Sequence, residues 1–228
     1  MTTTPATNPR SALLLGGTGL VGRSCLALLL EDSRYATVHT ITRSPLLQQH
    51  PKLHSHVVPF AELAQAVAGL RVDDVFCCLG TTIKKAGSEE AFRQVDYEYP
   101  LGAARSAAQS GARQFLIVTA VGADPGSRIF YNRVKGEVER AIGELPLPTV
   151  HVLRPSMLLG ERSEQRVGEA IGQVAMRLLQ PLMLGGARKY RAIAGETVAR
   201  ALLALAAQER PGRHIHESDE LQQLGGAP

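Results

Sequence analysis

The chain has 228 residues, 44% hydrophobic and 20% charged, with 25 Lys+Arg against 21 Asp+Glu and a formal net charge of +4. That supplies one large core, or one domain with a small appendage, and argues against a disordered chain. The mild positive excess is not gathered in a stripe: its densest run, Arg188-Lys189-Tyr190-Arg191, reads as a solvated loop, and no nucleic-acid partner is expected.

Residues 1–10, rich in Thr and Pro, read as a frayed tail. Residues 11–15 form a short apolar run that stops at glycines, as a buried parallel strand does. Val21, Cys25, Leu28 and Leu29 then fall on one stripe of a helix. Residues 37–42 (TVHTIT) predict a second strand, 56–58 a weak third, 62–70 a short helix and 74–79 (DVFCCL) a strong fourth strand. Residues 89–110 predict one long Ala-rich helix kinked at Pro100. A fifth strand follows at 115–121, a helix at 130–142 and a sixth strand at 149–153, stopped by Arg154-Pro155. Strand and helix alternate throughout, which predicts an α/β fold: a doubly wound, mostly parallel sheet with helices on both faces. Beyond Pro155 the pattern changes to helices at 167–179 and 196–208 and a short late strand at 213–216. The chain therefore divides into the tail (1–10), a sheet core (11–155) and a small C-terminal extension on the substrate side (156–228).

The loop Gly16-Gly17-Thr18-Gly19-Leu20-Val21-Gly22 joins the first strand to the first helix. Gly16, Gly19 and Gly22 suit a tight turn, a close backbone approach to a pyrophosphate and close packing of helix on strand. The helix N-terminus would face the phosphates. At the end of the second strand, where an NAD site carries a carboxylate, this chain has Arg43 and Ser44. An arginine there pairs with a 2′-phosphate, so NADP(H) is favoured over NAD(H). Arg23 would add to the same positive field.

Tyr131 and Lys135 lie one helical turn apart on a shared face. An ammonium beside a phenol favours the phenolate, so such a pair can exchange a proton with a carbonyl or alcohol oxygen.

These features resemble the short-chain dehydrogenase/reductase superfamily, and more closely its atypical branch related to the HIV Tat-interacting protein. The resemblance rests on residues 16–22, Cys77-Cys78-Leu79-Gly80-Thr81-Thr82, Lys85-Ala86-Gly87, Val95-Asp96, Gly122-Ala123-Asp124, Tyr131, Val134-Lys135-Gly136-Glu137-Val138-Glu139 and Arg154-Pro155. It implies a Rossmann fold, NADP(H) binding, and Tyr131 and Lys135 as catalytic pair. It also implies a cofactor cleft lined by the glycine loop, Thr18, Leu20 and Val21 included, and by Leu79, Gly80 and Thr81. Asp96 is expected to pack a helix or brace a loop. The chain departs from the superfamily at the fifth-strand serine: the only hydroxyl there is Thr119, which either substitutes for it or points into the sheet. The stretch Pro59-Phe60 lacks the acidic residue that many relatives place beside adenine.

Cys25, Cys77 and Cys78 have neither a disulfide framework nor metal-ligand spacing, and the adjacent pair reads as inert strand packing. His214 and His216 share a strand face without a third ligand in sequence, so no metal is expected. No 18-residue apolar stretch occurs, and the expectation is a soluble, cytoplasmic protein. Two functions fit. One is an oxidoreductase for a small carbonyl or alcohol, with residues 156–160 and 162–169, including Arg162 and Arg166, as pocket loops. The other is an NADPH-binding regulator that engages a protein partner with little turnover.

Overall fold

The computed structural model describes residues 9–160 and 185–226. The predicted 167–179 helix and the pocket loop at 162–169, with Arg162 and Arg166, lie outside the described residues, as do the first eight residues of the tail. The strands are β1 (Arg10–Leu15), β2 (Tyr35–Thr42), β3 (Leu53–Val57), β4 (Asp74–Cys77), β5 (Gln114–Val118), β6 (Thr149–Arg154), β7 (Leu158–Leu159), β8 (Ile193–Ala194) and β9 (Gly212–Glu217). The helices are α1 (Leu20–Glu31), α2 (Leu63–Ala68), α3 (Ile83–Ala86), α4 (Glu89–Arg93), α5 (Tyr99–Gln109), α6 (Phe130–Gly143), α7 (Gly195–Ala206) and α8 (Ser218–Gly225).

Seven strands form one sheet in the order β3-β2-β1-β4-β5-β6-β9, and every pairing is parallel. Parallel strands covered on both faces must be apolar on both, which is why β1 and β5 read as continuous runs rather than alternating ones. Ala12 and Leu14 join one core with Cys25, Leu26 and Leu29 of α1 and Val198 and Leu202 of α7. Leu13 and Leu15 join the other with residues of α2, α5 and α6, among them Leu63, Leu101 and Val138. The strand order reverses between β1 and β4, so a crevice opens at their C-terminal ends. The seventh strand, β9, comes from the segment after Pro155, as does the small parallel pair β7-β8.

Two elements differ from their predicted form. The third strand covers Leu53–Val57 rather than 56–58, because it is an edge strand, half exposed, with no buried face to mark it in sequence. The predicted helix at 89–110 is interrupted: α4 and α5 flank a π-helical segment, Gln94–Glu98. Pro100 has no N–H to donate, and the Tyr99 N–H bonds back to Gln94 O, five residues away. The wider turn places Asp96 inside the protein, 1% exposed.

Candidate functional site

A cleft of about 300 Å³ opens at the ends of β1 and β4. Its first wall is the glycine loop. Gly16 has φ +83°, and a Cβ there would lie 2.6 Å from the Cys78 carbonyl oxygen. A Cβ on Gly22 would sit 2.0 Å from Gly16 O. No side chain fits at either position, so the loop closes against the end of β4 and α1 starts directly over it. The N-cap of α1 is Gly19, with no side-chain cap, and its first turn holds no acidic residue. Thr18, Gly19, Leu20 and Val21 line the cleft, so the uncapped N–H groups and the positive end of α1 open into it. Arg23 lines it as well.

The second wall is built from charged side chains. Lys135, one turn into α6, is buried and reaches across to Asp96, Nζ to Oδ1 2.7 Å. The other carboxylate oxygen of Asp96 accepts the Thr81 N–H at 2.9 Å. Burial works to lower the Lys135 pKa, but the Asp96 carboxylate, with Tyr131, outweighs it and holds the ammonium above its ordinary value. Tyr131 starts the same helix, half-buried, its ring 5.4 Å from that of Phe92. Leu79, Gly80, Thr81, Tyr131 and Lys135 all face the cleft. The helix lies this close because Gly136 has no side chain: a Cβ there would be 2.2 Å from Pro125 N.

Thr119 lines the cleft just past β5, and its hydroxyl is engaged inward. It donates to Glu139 Oε1 at 2.6 Å, with Leu153 O at 3.2 Å as alternative acceptor. Glu139, buried on α6, in turn accepts three N–H bonds from Arg154 at 2.6, 3.1 and 3.2 Å, and Arg154 also reaches Glu217 of β9 at 3.1 Å.

Arg43 and Ser44 follow β2 directly and are exposed; they are not part of the cleft lining. The Arg43 guanidinium lies over the Phe60 ring at 5.5 Å, and Thr42 Oγ1 donates to Ser44 O at 2.7 Å. Of the loop at 156–160, Leu158 reaches the cleft. Cys77 is fully buried, and burial pushes its thiol up to about 12. A hydrogen bond with Cys25 and burial hold Cys78 well above its ordinary value. His214 and His216 face a third imidazole, His151 of β6, whose Nδ1 lies 3.0 Å from His216 Nε2. No group among the described residues is arranged to hold a metal ion.

Sequence reasoning missed the Asp96–Lys135 pair, the Glu139–Arg154 pair and Lys85, an exposed residue of α3 that lines the cleft. In sequence Asp96 is expected only to pack a helix or brace a loop, one of several carboxylates in its helical stretch beside Glu89, Glu90 and Glu98. The partners of each pair sit on elements that the sequence alone cannot juxtapose.

The comparisons with known proteins agree with this architecture. No family model matches the chain. The rat protein HTATIP2 is 35% identical over 198 residues, 85% of this chain and 80% of its own length. The chain belongs to the HTATIP2 family of atypical short-chain dehydrogenase/reductases. "Protein FMP52, mitochondrial" of Debaryomyces hansenii is 30% identical over 204 residues, 87% of this chain and 88% of its own. Among solved structures, MoeE5 in complex with UDP-glucose and NAD superposes with a TM-score of 0.66 at 15% identity, covering 94% of this chain and 80% of the other. The human epimerase family protein SDR39U1 with NADPH gives 0.63 at 18% identity, covering 93% and 78%. The fold is thus the NAD(P)-binding Rossmann fold of the epimerase and short-chain dehydrogenase/reductase group. One expectation is corrected. A cytoplasmic location does not hold for the family, because the FMP52 relatives from several fungi are named mitochondrial. Among the described residues no helix is long and apolar enough to cross a membrane, and that does not distinguish one compartment from another.

Proposed function

We propose that this HTATIP2-family protein is an NADP(H)-dependent oxidoreductase that moves a hydride to or from a small carbonyl or alcohol. The observation that carries the reading is the meeting of Tyr131 and the buried ammonium of Lys135 with the uncapped N-terminus of α1 in one cleft. The chain fits a dinucleotide there. Side-chain-free Gly16 and Gly22 let the loop close under the helix, and the first turn of α1 carries no acid to repel phosphate. When bound, the reduced nicotinamide supplies the hydride. Tyr131 donates its phenolic proton to the carbonyl oxygen, or accepts it from an alcohol in reverse, as general acid/base. Lys135 keeps a positive charge beside it and anchors the nicotinamide ribose. Arg43 and Ser44, at the end of β2 where no carboxylate stands, meet the 2′-phosphate.

A second reading, an NADPH-binding regulator with little turnover that engages a protein partner, draws on Thr119. That hydroxyl is the only one at the end of β5, and its hydrogen is committed to Glu139 or Leu153 O. It is therefore not available to polarise a carbonyl.

The test is calorimetric titration of NADPH and NADH, followed by a panel of small aldehydes and ketones with wild type and Tyr131→Phe. The oxidoreductase reading expects unchanged NADPH affinity in the variant and turnover lowered by about 100-fold or more. Equal turnover would remove the acid/base role, and tight binding without turnover on any carbonyl would favour the regulator. Arg43→Asp is expected to weaken NADPH relative to NADH by about tenfold, or roughly 1.4 kcal/mol.

A further inference from the structure

The seven-stranded sheet ends at β3, and among the described residues no strand pairs with its outer side. An open edge is a template for another strand, and proteins commonly blunt it with charges, proline or a bulge. β9, at the opposite end, carries Arg213 and Glu217. β3 (LHSHV) has no Lys, Arg, Asp, Glu or Pro, and it pairs with β2 in unbroken register. The hydrogen bonds say which of its groups are open. The Val38 N–H donates to Lys52 O and the Val58 N–H to Thr42 O, so residues 54 and 56 also turn their backbone to β2. The backbone of Leu53, Ser55 and Val57 therefore faces outward. The Leu53 N–H is taken by His50 O at 2.9 Å; among the described residues the other outward groups have no hydrogen bond. About Ser55 the strand matches its own reverse: apolar, His, Ser, His, apolar.

We propose that β3 is a homodimer interface, where a second copy of this chain pairs antiparallel about a two-fold axis at Ser55 and releases when the histidines of the seam are protonated. Each Ser55 N–H donates to the partner's Ser55 C=O, and each Val57 N–H to the partner's Leu53 C=O. Val57, 50% exposed in the single chain, meets the partner's Leu53, and His54 meets the partner's His56. A peptide of another protein could reach the same edge, but a strand that matches its own reverse is suited to an isologous contact with itself. His39 of β2 lies on the histidine face, its ring 5.3 Å from those of His54 and His56 and its Nδ1 3.0 Å from His56 Nε2. Burial and then those two imidazoles hold His39 below its ordinary value, with no carboxylate contributing. On its other side β1 presents Leu13, and the adjacent Lys52 ammonium is tied to Asp32 O. Pairing brings the partner's three imidazoles to the same seam. Neutral rings stack and share hydrogen bonds; imidazolium ions repel, and no acid stands by to offset them.

The test is sedimentation equilibrium of the full chain from about 10 to about 200 µM, a range suited to a small seam. At pH 8 wild type is expected to pass from monomer to dimer mass across that range. Ser55→Pro removes an outward N–H that the single chain does not use, and proline is tolerated on such an edge. Ser55→Lys leaves the backbone alone and sets like charges face to face at the axis. Both variants are expected to remain monomeric throughout. A wild type that is still monomeric at the highest concentration, or a dimer that survives both substitutions, overturns the proposal. At pH 5.5 wild type is expected to associate at least about tenfold more weakly, since the imidazoles are then protonated. His54→Gln/His56→Gln, which cannot gain those charges, is expected to associate equally at the two pH values. Equal association of wild type at pH 8 and pH 5.5, or a double variant that still dissociates in acid, overturns the role given to the histidines.

Discussion

The two walls of the cleft are made by opposite means. The glycine-loop wall is built by removing side chains. Gly16 and Gly22 let backbone meet backbone at distances where any Cβ would collide, and what it offers a ligand is main-chain N–H and a helix dipole. The α6 wall is built by burying charges. Lys135 and Glu139 are both almost fully buried, one turn apart, and each is held by a partner from another part of the chain, Asp96 and Arg154. The first wall is specified within seven residues. The second needs elements brought together by the whole sheet, and it is the wall to which the proposed function assigns the proton transfer.

The contrast can be broken most severely on the glycine side. In Gly22→Ala the new Cβ would lie 2.0 Å from Gly16 O, and both groups are backbone, so neither can swing aside. The expected cost is on the order of 4 kcal/mol, in the range of strained backbone and overpacked sites, read as a large drop in soluble yield and thermal midpoint. A variant that melts within a degree or two of wild type would show that the loop has room the geometry denies. Gly136→Ala makes the same test on the other wall, against Pro125 N at 2.2 Å, since there too one glycine lets backbone close on helix.

The α6 wall should fail differently, through unpaired charge rather than collision. Glu139→Ala removes the acceptor of three Arg154 N–H bonds and of the Thr119 hydroxyl, and leaves Arg154 with Glu217 alone. The expected loss is about 3 kcal/mol by denaturant unfolding, and Glu139→Gln should recover roughly half, since an amide oxygen still accepts. A loss below about 0.5 kcal/mol would mean that the network contributes nothing the solvent cannot replace.

How much of this could be read beforehand follows the same division. The sheet was legible because β1, β4 and β5 are buried on both faces and announce themselves as apolar runs. The glycine loop was legible because its constraint is local: three glycines, a strand before and a helix after. The interruption at Gln94–Glu98 was not, because Pro100 signals a break without saying that the turn will widen by one residue. Thr119 left two orientations open in sequence, since strand propensity says nothing of which acceptor takes its hydrogen. Glu139, on the α6 face beside Val138 and Ile142, looked like any helix glutamate until β6 brought Arg154 to it. The third imidazole at His151 escaped for the same reason: the register of β6 with β9, which sets it against His214, is a property of the sheet and not of either segment.

The smallest expected effect is the one that isolates the charge on the second wall. The first turn of α1 holds no acidic residue, so the pH dependence of the cleft comes from α6 and its partners and from the exposed Lys85 of α3. A buried pair replaced as a unit by groups of similar size is often near neutral in stability, so Asp96→Asn/Lys135→Met together should cost far less than Lys135→Met alone, which strands a buried carboxylate. The pH profile then separates the two. The folded Lys135 holds its proton more tightly than the unfolded chain does, with a pKa raised above 10.5. Its linked contribution is therefore complete below 10.5 and lost as pH rises through the raised folded value. The stability of wild type relative to the double variant should stay constant from pH 6 to about 10, then fall with a slope of at most about 1.4 kcal/mol per pH unit. General alkaline unfolding cancels in that difference. If the difference instead narrows below pH 9, Lys135 is losing its proton inside the fold, and the second wall is not the paired, pH-resistant surface that sets it apart from the first.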